Sequence, residues 1–189
     1  VVNPPPPRND SFANPVVLLG TSVCTNASSL RATKEPSEPN HADKPGGSSV
    51  WWTWRALANG LLTVTTKGTA FDTLLGVYTG TTVSNLTPVA KDDDSAGSGQ
   101  SQVTFQVDQA VNYHIAVDGF GGAEGDINLC LTFVVPPVVS ITAPANGAVF
   151  TVTGPTNLLV TAKATDRDGQ VIRVEFFHDS RPIGLATNG

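Results

Sequence analysis

Turn-forming clusters recur roughly every 8 to 12 residues from Asn9 onward, and the segments between them alternate apolar and polar positions. In SQVTFQVDQ, Val103, Phe105 and Val107 fall on one side while Thr104, Gln106 and Asp108 fall on the other. NYHIAVDG repeats the pattern with Tyr113, Ile115 and Val117, and DINLCLTF continues it with Ile127, Leu129, Leu131 and Phe133. GLLTVTTKG and DTLLGVYTG supply two further strands. A period of two matches a strand buried on one face and does not match a helix. The chain is therefore predicted to be all-β, a sandwich or barrel.

Composition agrees. Among 189 residues there are 18 Gly and 14 Pro and no Met, and charged residues make up 14%. The net charge of -5 argues against nucleic acid as a partner, because phosphate binding needs clustered Lys and Arg and the eleven here are scattered. No apolar run reaches the roughly 18 residues of a membrane-crossing helix, so no transmembrane segment is expected. Nothing at the start has the charged-then-apolar pattern of a signal peptide, and an exported protein would have lost it.

Residues 1-8, VVNPPPPR, form a Pro-rich arm or linker, since each Pro fixes φ and removes a backbone donor. Residues 9-135 carry the first strand series. At Pro136 and Pro137 the pattern breaks, and a second series begins with VVSITAP, NLLVTAKATD and VIRVEFFHDS, so residues 136-189 are expected to form a second β domain. In its last strand Ile172, Val174 and Phe176 share one face, which is expected to be buried.

By NDSFANPVVLLG, ATKEPSEPNHADKPGGSSVWWTWRALANGLLTVTT, FDTLLGVYTG and DGFGGAEGDINLCL, the first domain resembles the bacterial pre-peptidase C-terminal family over about residues 9 to 134. The resemblance implies a jelly-roll-like β-sandwich appended to secreted proteases and other exported or surface proteins, with some relatives binding matrix proteins or calcium. The second domain, from PVVSITAPANGAVF through ATDRDGQVIRVEFFHDSRPIG, looks like the first half of a bacterial Ig-like domain. Such a fold needs about seven strands, so this Ig-like sandwich is expected to be incomplete, with its apolar face covered by chain beyond this segment or by a neighbouring chain.

Few residues invite chemistry. Cys24 and Cys130 are the only cysteines, too far apart for a CxxC motif; they either pair or are two small buried residues, and alternation puts Cys130 opposite Cys24 if first and last strands are neighbours. A bridge over about 100 residues would stabilise by roughly 4 to 5 kcal/mol and would imply an oxidising compartment. His41, His114 and His178 lie in unrelated segments without a nucleophile motif, so no enzyme is expected. KDDDSAGSG concentrates Asp92, Asp93 and Asp94, with Asp72 as a remote partner; hard oxygen ligands at that density suit calcium, and a solvated acidic turn is the competing explanation. DRDG at 166 to 169 is expected to be a tight turn and GFGGAEGD a glycine-rich hairpin.

SSVWWTWRA divides by alternation. Val50, Trp52, Trp54 and Ala56 form an apolar face, and Trp51, Thr53 and Arg55 form an amphipathic one. Trp52 and Trp54 are thereby assigned to the core, leaving Trp51 beside Arg55 as a cation-π pair or an exposed ligand contact. Two functions follow as expectations. One is a non-catalytic structural and adhesive module of a secreted or cell-surface protein, filament-like, contacting copies of itself through strand edges and the Pro-rich arm. The other is an accessory module that holds a secreted hydrolase to protein or polysaccharide through exposed loops and Trp51.

Overall fold

The computed structural model describes residues 4–187, and the chain divides into two compact units after Val134. The first three residues of the Pro-rich arm lie outside the described residues, while Pro4 to Pro7 carry no regular secondary structure. The first unit contains β1 (Val16–Leu18), β2 (Ser22–Ser28), β3 (Val50–Arg55), β4 (Gly60–Thr65), β5 (Thr73–Thr79), β6 (Thr87–Asp92), β7 (Gln102–Val107), β8 (Asn112–Gly119) and β9 (Asp126–Val134). They form a five-stranded sheet in the order β1-β3-β8-β5-β6 and a four-stranded sheet in the order β2-β9-β4-β7. All pairings are antiparallel except that of β1 with β3.

The two sheets bury the faces that alternation assigns to the core. Trp52, Trp54, Ile115, Val117, Leu75 and Val77 of one sheet and Leu62, Val64, Leu129 and Leu131 of the other are at most 1% exposed. Rings meet across the layers, with Trp54 and Phe133 at 5.3 Å and Phe105 and Tyr113 at 5.7 Å between centroids. The Trp54 indole N–H donates to the Gly20 carbonyl at 2.9 Å, so the one polar atom on this large side chain is satisfied.

The five-stranded sheet is buried on its second face as well. Six of the seven β5 residues are buried, and so are six of the eight in β8. Strands covered on both faces lose strict alternation and become continuously apolar, as LLGVY in β5 is. β6 carries Pro88, which the fold accommodates because β6 is an edge strand whose outer side needs no ladder donor.

Cys24 and Cys130 stand directly opposite each other in the β2–β9 register and are joined by a disulfide. It lies on the outward face of the four-stranded sheet and ties edge strand β2 to β9.

The second unit has β10 (Val138–Ala143) paired with β11 (Thr161–Thr165), and β12 (Arg173–His178) paired with β13 (Arg181–Thr187), each an antiparallel two-stranded sheet. Ala162 and Ala164 of β11, and Val174 and Phe176 of β12, turn to the less exposed side. None of the described residues in this unit is buried. The expectation of a buried face on the VIRVEFF strand is thus corrected: Val174 and Phe176 are only half-covered and Ile172 is 72% exposed, because the described strands of this unit form two separate two-stranded sheets that do not enclose them.

Replacing both Cys24 and Cys130 by Ala is expected to leave the far-ultraviolet circular dichroism unchanged and to lower the free energy of unfolding by about 3 to 5 kcal/mol, the range for releasing so long a loop. Urea titration with and without reductant measures it.

Candidate functional site

The second face of the five-stranded sheet is roofed by coil instead of strands, and the roof is held by side chains that take over backbone hydrogen bonding. Asn9 pairs with Trp51 like a strand residue: the Trp51 N–H donates to the Asn9 carbonyl at 2.8 Å, and the Asn9 side-chain amide donates to the Trp51 carbonyl at 3.1 Å. The segment then lays Phe12 edge-on against the Trp51 ring, with centroids 5.2 Å apart. Glu35 accepts the Phe12 N–H at 2.6 Å, and Asp10 accepts the Thr33 N–H.

Trp51 itself is fully buried among Phe12, His41, Tyr78 and Ala116. This corrects the assignment of Trp51 and Arg55 as an exposed ligand contact. Alternation divides the faces of β3 rightly, but the face opposite the sandwich core is not solvent. Arg55, at the far end of β3, is exposed while Trp51 lies under the roof, so the two do not make a shared surface. His114, on the same face, packs on Phe12 at 4.6 Å and donates from Nε2 to the Gly80 carbonyl at 3.1 Å. Burial pulls its pKa below the usual imidazole range, against the opposing pull of that carbonyl.

At the centre of the roof lies a polar chain that the sequence did not single out. His41 is fully buried; its Nε2 meets Glu38 Oε1 at 2.8 Å and its Nδ1 meets the Tyr78 hydroxyl at 2.8 Å. With Nε2–H donated to the carboxylate, Nδ1 accepts the phenol proton. Glu38 also accepts the Glu35 N–H at 2.8 Å. Burial pushes the Glu38 carboxyl up, but hydrogen bonds from His41, Ser49 and the Glu35 N–H outweigh it and hold the group below the usual carboxylate range. Burial, reinforced by the negative charges of Glu38 and Asp43, drives the Tyr78 phenol far above its ordinary value. With both nitrogens engaged and no exposed surface, His41 ties the roof to Tyr78 of β5. The only trace in the sequence is the spacing of Glu38 and His41.

Asp118 anchors the other end of the same loop. Its Oδ1 accepts N–H groups from Gly47, Ser48 and Gly119 at 2.8 to 3.0 Å. Gly46 allows this approach, since a Cβ there would stand 2.0 Å from Asp118 Oδ2.

The acidic run divides. Asp92 Oδ2 accepts the Ser95 N–H, the Ser95 hydroxyl and the Gln102 N–H at 2.7 to 3.0 Å, so it braces the turn between β6 and β7. Asp92 stands apart from the acidic group of Asp72, Asp93 and Asp94: its Oδ2 is engaged by two backbone N–H groups and the Ser95 hydroxyl. Asp93 and Asp94 instead meet Asp72, with one carboxylate oxygen from each within 4.8 Å of the others. That separation suits oxygens around one calcium ion, where opposite ligands lie about 4.6 to 5.2 Å apart. Asp72 Oδ1 and Asp93 Oδ1 are buried and lack a hydrogen-bond partner among the described residues, which fits a group with capacity for a cation. Burial, together with the charges of Asp93 and Asp94, pushes the Asp72 carboxyl up, and Lys44 pulls the other way. Lys44 lies 3.7 Å from Asp93, and the neighbouring roof residue Asp43 pairs with Lys91.

Comparison with known proteins adds three findings. Residues 137–189 match the family model described as a bacterial Ig domain. Among solved structures, the chain is similar to the pre-peptidase C-terminal domain of a collagenase from Bacillus anthracis, with 11% identity and a TM-score of 0.42 over 69% of this chain and 100% of that one. No curated protein matches the chain.

The Glu38 carboxyl, lowered by its partners, stabilises the fold fully above the ordinary carboxylate value of 4.5, and that contribution fades as the pH falls through the lowered value. Glu38→Gln is expected to cost about 1 to 3 kcal/mol at pH 7, because it puts an amide N–H against the buried Glu35 or His41 donor. The stabilities of the parent and the variant should converge in acid, as read from urea midpoints across pH.

Proposed function

We propose that this chain is a non-catalytic structural and contact module of a secreted or cell-surface protein, which associates with copies of itself or with adjoining domains through open strand edges and uncovered apolar faces. The observation that carries this reading is the second unit: four strands in two separate pairs, with no buried residue among those described. Two-stranded sheets are marginal by themselves, and open edges are ready templates for further strands. The disulfide supports an oxidising compartment, and the bacterial Ig match of residues 137–189 supports a modular extracellular setting. The burial of Trp51 weakens the rival reading, an accessory module gripping protein or polysaccharide, by removing its one aromatic contact. Light scattering of the purified chain should detect species heavier than 19.6 kDa; a single species of that mass at every concentration would overturn its association with copies of itself.

A second element rests on the acidic group. We infer that Asp72, Asp93 and Asp94 hold a calcium ion, with its remaining ligands supplied by water or main-chain carbonyls. Because the Asp72 carboxyl is raised, its charged form disfavours the fold at neutral pH, and that penalty is relieved as the pH falls through the raised value. A cation would relieve it without acid. Millimolar calcium is expected to raise the melting temperature by several degrees, as ligand linkage requires. Asp72→Asn should stabilise the calcium-free chain and abolish the shift. An unchanged melting temperature in calcium would remove the site.

A further inference from the structure

We propose that the roof over Trp51, residues 9–14 and 29–49, is a cooperative unit of its own, a cover that acid releases from a sandwich that stays folded.

The cover is strained. Among the described residues, seven non-glycine residues have positive φ, and four of them fall in this one stretch: Arg31 at 65°, Ser37 at 69°, Ala42 at 50° and Asp43 at 58°. A side chain in the left-handed region costs conformational energy, so the loop holds this shape only while its contacts over-determine it.

Those contacts are of a special kind. Three main-chain bonds tie the roof to the rest of the unit, from the Trp51 N–H to the Asn9 carbonyl, from the Ser29 N–H to the Gly125 carbonyl and from the Gly121 N–H to the Pro45 carbonyl. The remaining fastening of its backbone goes through ionised side chains. Asp10 accepts the Thr33 N–H, Glu35 the Phe12 N–H, Glu38 the Glu35 N–H, Glu124 the Arg31 N–H, and Asp118 the N–H groups of Gly47 and Ser48. A charged acceptor bonds roughly twice as strongly as a neutral one, so protonation loosens all of these together. The sandwich has no such dependence. β2, β9, β4 and β7 are joined by main-chain ladders and the Cys24–Cys130 bridge, and Leu62, Val64, Ile127, Leu129 and Leu131 fill their inner face.

The groups under the cover act in the same direction. Glu38 faces His41, Ser49 and, through its charge, Tyr78. Its carboxyl is lowered, so its stabilisation is lost as the pH falls through that lowered value. His114 lies beneath Phe12, between Thr53 of β3 and Tyr78 of β5 in the register, with Arg55 two positions along β3. Its Nδ1 is buried without a hydrogen-bond partner among the described residues. Burial lowers this imidazole, so the closed cover is penalised increasingly from the ordinary value of 6.5 downward, until the lowered value is passed. At the margin Lys91 pairs with Asp43, Lys44 with Asp93, and Lys34 donates to Asn40.

Amide exchange of the full chain, read as protection factors between pH 7 and pH 3, locates the opening. Residues 9–14 and 29–49 should lose protection by about tenfold or more in acid while β4, β7 and β9 keep theirs. All three tryptophans are buried, and Trp51 alone lies under the cover. Acid should therefore shift part of the indole emission to the red, and Trp51→Phe should remove that shift. Glu38→Gln should bring the loss of protection in 29–49 to neutral pH and leave β4, β7 and β9 unchanged. Protection lost from cover and sandwich together, a cover that stays protected to pH 3, or a Glu38→Gln cover that opens only where the parent does, overturns the proposal.

Discussion

A sheet that is apolar on both faces has to be covered twice, and most of this fold answers that requirement. The four-stranded sheet covers one face of the five-stranded sheet with another strand layer. The second face, with Trp51 at its centre, is covered by coil, and coil brings backbone N–H groups that have no ladder to join. Carboxylates accept them: Asp10 takes the N–H of Thr33, Glu35 that of Phe12, Glu38 that of Glu35, Glu124 that of Arg31, and Asp118 those of Gly47, Ser48 and Gly119. Much of the acidic excess of the chain is therefore internal scaffolding, and the His41 bonds to Glu38 and Tyr78 fasten the middle of the roof to strand β5.

The strands of the sandwich were legible because half-buried strands repeat with a period of two, and Tyr113, Ile115 and Val117 or Leu129, Leu131 and Phe133 advertise their side directly. Trp51 was not. Alternation tells which residues share a face and is silent on whether coil from thirty or forty residues upstream will lie over it. The polar chain through His41 was hidden for the same reason: Glu38 is near in sequence, but Tyr78 is 37 residues away. In the acidic run, composition marked the loop but did not separate Asp92, which turns to Ser95 and Gln102, from Asp93 and Asp94, which turn to Asp72. Side-chain direction at a turn depends on local backbone geometry that a count of aspartates does not contain.

The two units show opposite solutions to one problem. The first closes its apolar surface internally, down to fully buried tryptophans. The second displays Val139, Ile141, Ile183 and Leu185 at 59% to 64% exposure, with pairs of strands too few to enclose them. Among its described residues no side chain is buried.

The bridge between Cys24 and Cys130 joins strands near the two ends of the first unit, 106 positions apart. Tension applied from the flanks, as on a tethered surface protein in flow, would pass through that covalent link. The residues enclosed by it, including β3 to β8 and the whole tryptophan core, would bear none of the load along their chain. Such a unit yields only the short segments outside the bridge and then behaves as an inextensible link.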